Sequence, residues 1–116
     1  MSPLGGGKLT RPWGTSTKRA TTDRYNKSMY DQSGDAAIVS AVETAAKARR
    51  VSMAQVAMAW LLREPGITSP IVGVSKMDHL EDAISAVDFT LSDTEVQLLE
   101  SPYQPLLVSG FWGFVR

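Results

Sequence analysis

Two stretches of this 116-residue chain carry residues whose types and spacing suit an anionic ligand. The first is Ser2-Pro3-Leu4-Gly5-Gly6-Gly7-Lys8, followed closely by Arg11. Glycines let a backbone approach an anion, and successive free N–H groups form an anion-binding nest. Lys8 and Arg11 add positive charge. The second is Gly73-Val74-Ser75-Lys76, which leaves an apolar run and enters a helical pattern. A helix N-terminus presents free N–H groups and a partial positive charge, which together favour phosphate. Ser75 offers a hydroxyl and Lys76 a point charge. Asp82 follows about two helical turns after Ser75 and lines one side of that helix with His79. Each stretch also has a plainer reading: a glycine triplet is a flexible linker, and a capped helix start carries solvated charges. The residues alone leave both open.

Other chemistries are excluded more firmly. The chain has no cysteine, which removes a disulfide framework, a thiolate metal site and a cysteine nucleophile. His79 is the only histidine, so no site can use two, and no nucleophile pattern accompanies it as a general base. Trp13, Tyr25 and Tyr30 are interleaved with basic residues, a combination that can bind nucleic acid. Yet 12 Lys+Arg balance 12 Asp+Glu over the whole chain, and no RNP-like, zinc or helix-turn-helix pattern is present. A solvated loop is expected there, with no nucleic-acid partner. No apolar run approaches the ~18 residues of a transmembrane helix, and the start lacks a signal-peptide stretch. The expectation is a cytoplasmic protein with no membrane partner.

The elements that must position these residues follow from patterning. Residues 1–34 hold six basic and two acidic groups, residues 35–116 six basic and ten acidic, so a basic arm precedes an acidic body. The arm reads as irregular: the glycine triplet, Pro3 and Pro12 interrupt it, and no hydrophobic period appears. A helix is expected from about Asp35 to Arg49, with Ile38, Val42, Ala45 and Ala46 on one face. Ser52 with Gln55 forms a capping box opening a second helix through Leu62, apolar nearly all round and therefore buried on more than one side. Pro65-Gly66 stops it. Ile71-Val72-Gly73-Val74 reads as a strand buried on both faces. Ser75, with Asp78 at N3, is expected to cap a third helix striped by Met77, Leu80, Ile84 and Val87. Ser92 with Glu95 opens a fourth that ends before Pro102. The tail is apolar without a clear period.

A single interior strand is physically incomplete, because its backbone N–H and C=O groups need partners on both sides. The order strand, helix, helix therefore reads as the closing part of a larger α/β protein. At 116 residues the chain is too short for a whole (β/α)₈ barrel, which takes about 250. The unpaired strand and the all-round apolar second helix predict that the isolated chain self-associates.

Five segments in order carry a resemblance: Ser2-Pro3-Leu4-Gly5; Arg11-Pro12-Trp13-Gly14; Val51 through Leu62; Pro70-Ile71-Val72-Gly73-Val74-Ser75-Lys76; and His79-Leu80-Glu81-Asp82-Ala83. Together they resemble the C-terminal part of an aldo-keto reductase, in the fungal and microbial branch with aryl-alcohol-dehydrogenase-like members. The resemblance implies the C-terminal fragment of a (β/α)₈ TIM barrel, truncated at its N-terminus, mostly helical here with about one barrel strand. It implies NADP(H) as cofactor, a small carbonyl or alcohol substrate, and hydride transfer between them. Ser2, Leu4 and Gly5 match the loop holding the pyrophosphate. Gly73, Ser75 and His79, with Lys76 beside them, match the surroundings of the adenosine 2′-phosphate, and Arg11 is a further phosphate contact. Asp82 and Ala83 fall where the family has Glu and Asn near the adenine. The family's catalytic Asp, Tyr, Lys and His match nothing here, and Met1 stands where an aromatic residue stacks on the nicotinamide. The expected division is a cofactor-side loop at 1–34, helices plus the last barrel strand at 35–102, and a tail at 103–116. The chain alone is expected to be inactive. The alternative is a non-catalytic regulatory or interaction fragment that docks on another barrel piece.

Overall fold

The computed structural model describes residues 3–14 and 34–105. A 3₁₀ segment, Gly5–Thr10, comes first. Four α-helices follow: α1 (Asp35–Arg49), α2 (Met53–Arg63), α3 (Met77–Ser85) and α4 (Asp93–Glu100), with a 3₁₀ turn at Ala86–Asp88 after α3.

Helix α1 spans the residues its pattern predicts. Its inward face is Val39, Ala41, Val42, Ala45 and Ala46, so Val39 and Ala41 take the place expected of Ile38, which is half-buried. Arg50 ends the helix in the left-handed region, φ 56°, and donates its N–H to the Lys47 carbonyl. Helices α2 and α4 both start at complete capping boxes. The Gln55 amide donates to Ser52 Oγ at 3.1 Å while Ser52 N–H donates to Gln55 Oε1 at 3.3 Å. Glu95 and Ser92 repeat the exchange at 3.2 and 2.8 Å. Each box satisfies two N–H groups that a helix start leaves without partners.

The core lies between α1, α2 and α4. It joins Val42 and Ala45 to Met53 and Val56 and to Leu91, Val96 and Leu99, with Leu9, Trp60 and Phe89 packed at its edge. Val56 is fully buried. Helix α2 touches α1, α3, the Gly5–Thr10 segment and the 86–88 turn, so its all-round apolarity is used by this chain's own elements. That half of the argument for self-association does not hold.

Three expectations are corrected. Residues 71–74 form no strand, and no sheet exists among the described residues. The run has strand-forming residue types, but a ladder requires a neighbour to take its hydrogen bonds. Ser75 does not cap α3. Lys76 takes the β-region dihedrals of the cap, φ −134° and ψ 151°, and no side chain caps the helix. Ser75 then lies one residue too early for its hydroxyl to meet the N3 amide. Finally, Gly5–Thr10 is not irregular. It turns through 3₁₀ geometry interrupted at Gly6 and Gly7, where φ is 64° and 93°. Only glycine adopts that succession of left-handed residues without steric cost. The expectations for Ser2, for most of the basic arm and for the tail beyond Pro105 lie outside the described residues.

Candidate cofactor-binding site

The glycine loop is held by its own backbone. The Leu4 carbonyl accepts from Gly7 N–H at 3.1 Å and from Leu9 N–H at 3.2 Å. Thr10 Oγ1 donates to the Gly7 carbonyl at 2.8 Å. Gly5 is buried and Leu4 half-buried. Arg11 folds back over the loop: a Cβ on Gly7 would lie 3.0 Å from Nη1 and 3.2 Å from Nη2 of its guanidinium. Gly7 therefore both supplies the left-handed turn and makes room for the cation. The Lys8 ammonium sits over the Trp13 ring, 5.3 Å from its centroid. The triplet in the sequence signals left-handed backbone but not the seat it makes for Arg11, which exists only once the turn is closed.

The second group surrounds the start of α3. Gly73, Ser75, Lys76, Asp78 and His79 are exposed, and Asp82 is half-buried one turn beyond His79. A Cβ built on Gly73 meets nothing within 4 Å. No side chain caps the start of α3, unlike the starts of α2 and α4. A hydroxyl and an ammonium stand just before the first N–H groups of α3. Phosphate is the ligand this donor set fits: fixed N–H dipoles, one O–H and one cation.

Helix α2 packs against both the Gly5–Thr10 segment and α3, so one helix supports both candidate groups. Among the described residues no group of acidic or histidine side chains could hold a metal ion. No helix among them is long and apolar enough to cross a membrane.

Comparison with known proteins places the chain in a family. The profile of the Aldo/keto reductase family matches residues 1–104. The chain belongs to that family, whose fold is a (β/α)₈ barrel and whose members generally use a nicotinamide cofactor. It is 42% identical over 111 residues to the putative aryl-alcohol dehydrogenase C977.14c of Schizosaccharomyces pombe, covering 94% of this chain and 31% of the relative. It is 40% identical over 108 residues to versiconal hemiacetal acetate reductase of Aspergillus parasiticus, covering 90% of this chain and 31% of that protein. The putative aryl-alcohol dehydrogenase AAD16 of Saccharomyces cerevisiae is 36% identical over 107 residues, covering 90% of this chain and 31% of its own length. The chain thus spans about a third of the length of these relatives.

Proposed function

We propose that this chain forms the cofactor-side part of an NADP(H)-dependent aldo-keto reductase of the cytoplasm, interconverting carbonyls and alcohols. The observation that carries the proposal is the uncapped start of α3 with Ser75 and Lys76 exposed beside it. Bound NADP(H) supplies the hydride. The residues of this chain bind and orient it. The α3 amides, Ser75 and Lys76 receive the 2′-phosphate, with Gly73 leaving the backbone open to close approach. His79 and Asp82 flank the adenosine along α3. The glycine loop, from Ser2 through Leu4 and Gly5 to Arg11, receives the pyrophosphate. In this division 1–34 is the cofactor-side loop, 35–102 the helical portion and 103–116 the tail. The proton-transferring groups come from the remainder of the barrel, so the chain by itself reduces no carbonyl.

The test is a continuous chimera in which this chain replaces the matched third of the S. pombe relative. NADP and NAD affinities are measured before and after Lys76→Glu. The expected result is a preference for NADP that falls by about tenfold or more, because a hydrogen bond to a charged group contributes about 1.5–3 kcal/mol. An unchanged NADP/NAD ratio removes Lys76 from the phosphate site. A chimera that prefers NAD at the outset discards the NADP assignment.

A further inference from the structure

The apolar stripe of α3 faces solvent. Met77 is 69%, Ile84 61% and Val87 70% exposed, and Leu80 between them is exposed as well. The helix rests on α2, and its half-buried residues, Asp82 and Ala83, lie off the stripe, as does buried Ala86 in the turn that follows. The four stripe residues recur at intervals of three, four and three, the spacing of a coiled-coil seam. Ser85 and Ala86 keep right-handed helical dihedrals into the 86–88 turn, so all four share one seam. Met77 and Ile84 then take the a positions, Leu80 and Val87 the d positions. That register places Lys76 at g and Glu81 at the following e. Both are exposed, and neither makes an ion pair with another described residue. Just before the helix, Ile71 is 79% and Val74 43% exposed.

We propose that this face is the interface of a parallel homodimer of the 116-residue chain, with the two α3 helices packed along the a/d seam. Three observations select a second copy as the occupant. The seam is self-complementary: in a parallel pair each a and d side chain meets its own equivalent, and Ile at a with Leu at d favours two strands. The charges match in the same register. A g residue faces the e residue five positions on in the partner helix, so Lys76 of each copy meets Glu81 of the other, twice across the two-fold axis. An antiparallel pair sets e against e and brings Glu81 towards its own equivalent, a like-charge contact that opposes it. The area also suffices. The exposed apolar residues from Ile71 to Val87 offer on the order of 600 Å² per copy, and two copies reach the roughly 1,200 Å² at which specific interfaces begin. Asp82 at f and Ala86 at c keep the rest of each chain on the side away from the seam, and the parallel arrangement gathers both 71–74 runs at one end of it. Lys76 also stands in the proposed phosphate site, so nucleotide is left out of the test.

Sedimentation equilibrium of the 116-residue chain over a concentration series should fit a monomer–dimer equilibrium. Ile84→Asp buries a charge in the seam and should weaken the dimer by about tenfold or more. The position is exposed in one copy, so circular dichroism should show the helices retained. Lys76→Glu and Glu81→Lys each turn two attractions into repulsions and should each weaken the dimer by about fivefold. The double variant Lys76→Glu/Glu81→Lys restores both pairs with their signs exchanged and should regain the affinity. The direction of packing is read with single thiols, because the chain has no cysteine. Leu80→Cys, at d, should join two copies through a disulfide on mild oxidation, while Ser85→Cys, off the seam, should not. A chain that stays monomeric, larger species without a dimer, or a dimer indifferent to Ile84→Asp overturns the proposal. A double charge variant no tighter than the single ones also overturns it, as does cross-linking at Ser85 rather than at Leu80.

Discussion

Arg49 Nη1 lies 2.7 Å from Glu95 Oε1, joining the last turn of α1 to the first turn of α4. The same guanidinium donates to the Thr90 carbonyl at 3.3 Å through both Nη1 and Nη2 and covers the Phe89 ring at 4.4 Å. Glu95 is also the capping-box partner of Ser92, so one carboxylate fixes a helix start and a helix–helix junction.

That double role gives Glu95 a pH signature. The Ser92 backbone amide holds its carboxyl below the ordinary value of 4.5; partial burial opposes the shift, and the Ser92 hydroxyl and Arg49 add to it. A group whose folded value is depressed contributes stability above its unfolded value and loses it as pH falls through the folded one. Urea midpoints should therefore decline as pH drops from about 5 into the range below 4.5. Glu95→Gln should flatten that acid limb. Ser92→Ala should cost about 1 kcal/mol at neutral pH, typical of a lost N-cap.

Arg50 is the only non-glycine with positive φ among the described residues. Left-handed backbone costs an L-residue about 1–2 kcal/mol, and glycine is the common solution at this helix-ending position. Arg50→Gly should raise stability by about 0.5–1 kcal/mol after the entropy of the more flexible unfolded chain is subtracted. A thermal melt compared with wild type checks the sign.

Two glycines should separate folding from ligand approach. Gly7→Ala places a Cβ at φ 93° and 3.0 Å from the Arg11 guanidinium, so it should destabilise the loop by about 1–2 kcal/mol. Gly73→Ala meets nothing within 4 Å and carries no positive φ, so the melting temperature of the free chain should hardly change. In the completed barrel the same substitution should lower NADP affinity through the lost close approach. Paired melts and nucleotide titrations distinguish the two effects.

The parts legible in the sequence are those fixed by local contacts. Ser52 and Gln55, or Ser92 and Glu95, need only a separation of three residues to announce a helix start, and both starts fall where expected. The span of α1 was equally plain because its apolar period and terminal charges agree. Residues 71–74 were not legible as they fold here, since strand formation depends on neighbours no local pattern contains. The stripe on α3 is visible in the sequence, but its direction is not: Ala83 is half-buried and Ala86 buried, while Met77, Ile84 and Val87 stay exposed. Of the candidate residues, Gly73, Ser75, Lys76 and His79 lie at or just before the start of α3 and Asp82 one turn further along it. The cap moves from Ser75 to Lys76, which frees Ser75 from an intrahelical role. Gly7 as the seat of Arg11 cannot be read from composition, because it arises from Gly5, Gly6 and Gly7 all taking positive φ.

No residue of helix α3 is fully buried, and Ala86 just after it is. Opening of α3 is therefore energetically separate from unfolding of the α1–α2–α4 core. Deuterium should enter the amides of α3 through fluctuations that a cavity at Val56 leaves untouched, while the amides of α2 exchange only when the whole core opens. Two tiers of cooperativity are therefore expected, with the helix that carries Ser75 and Lys76 at its start in the looser one. A ligand that engages this end loses part of its affinity to the ordering of a segment the core does not restrain.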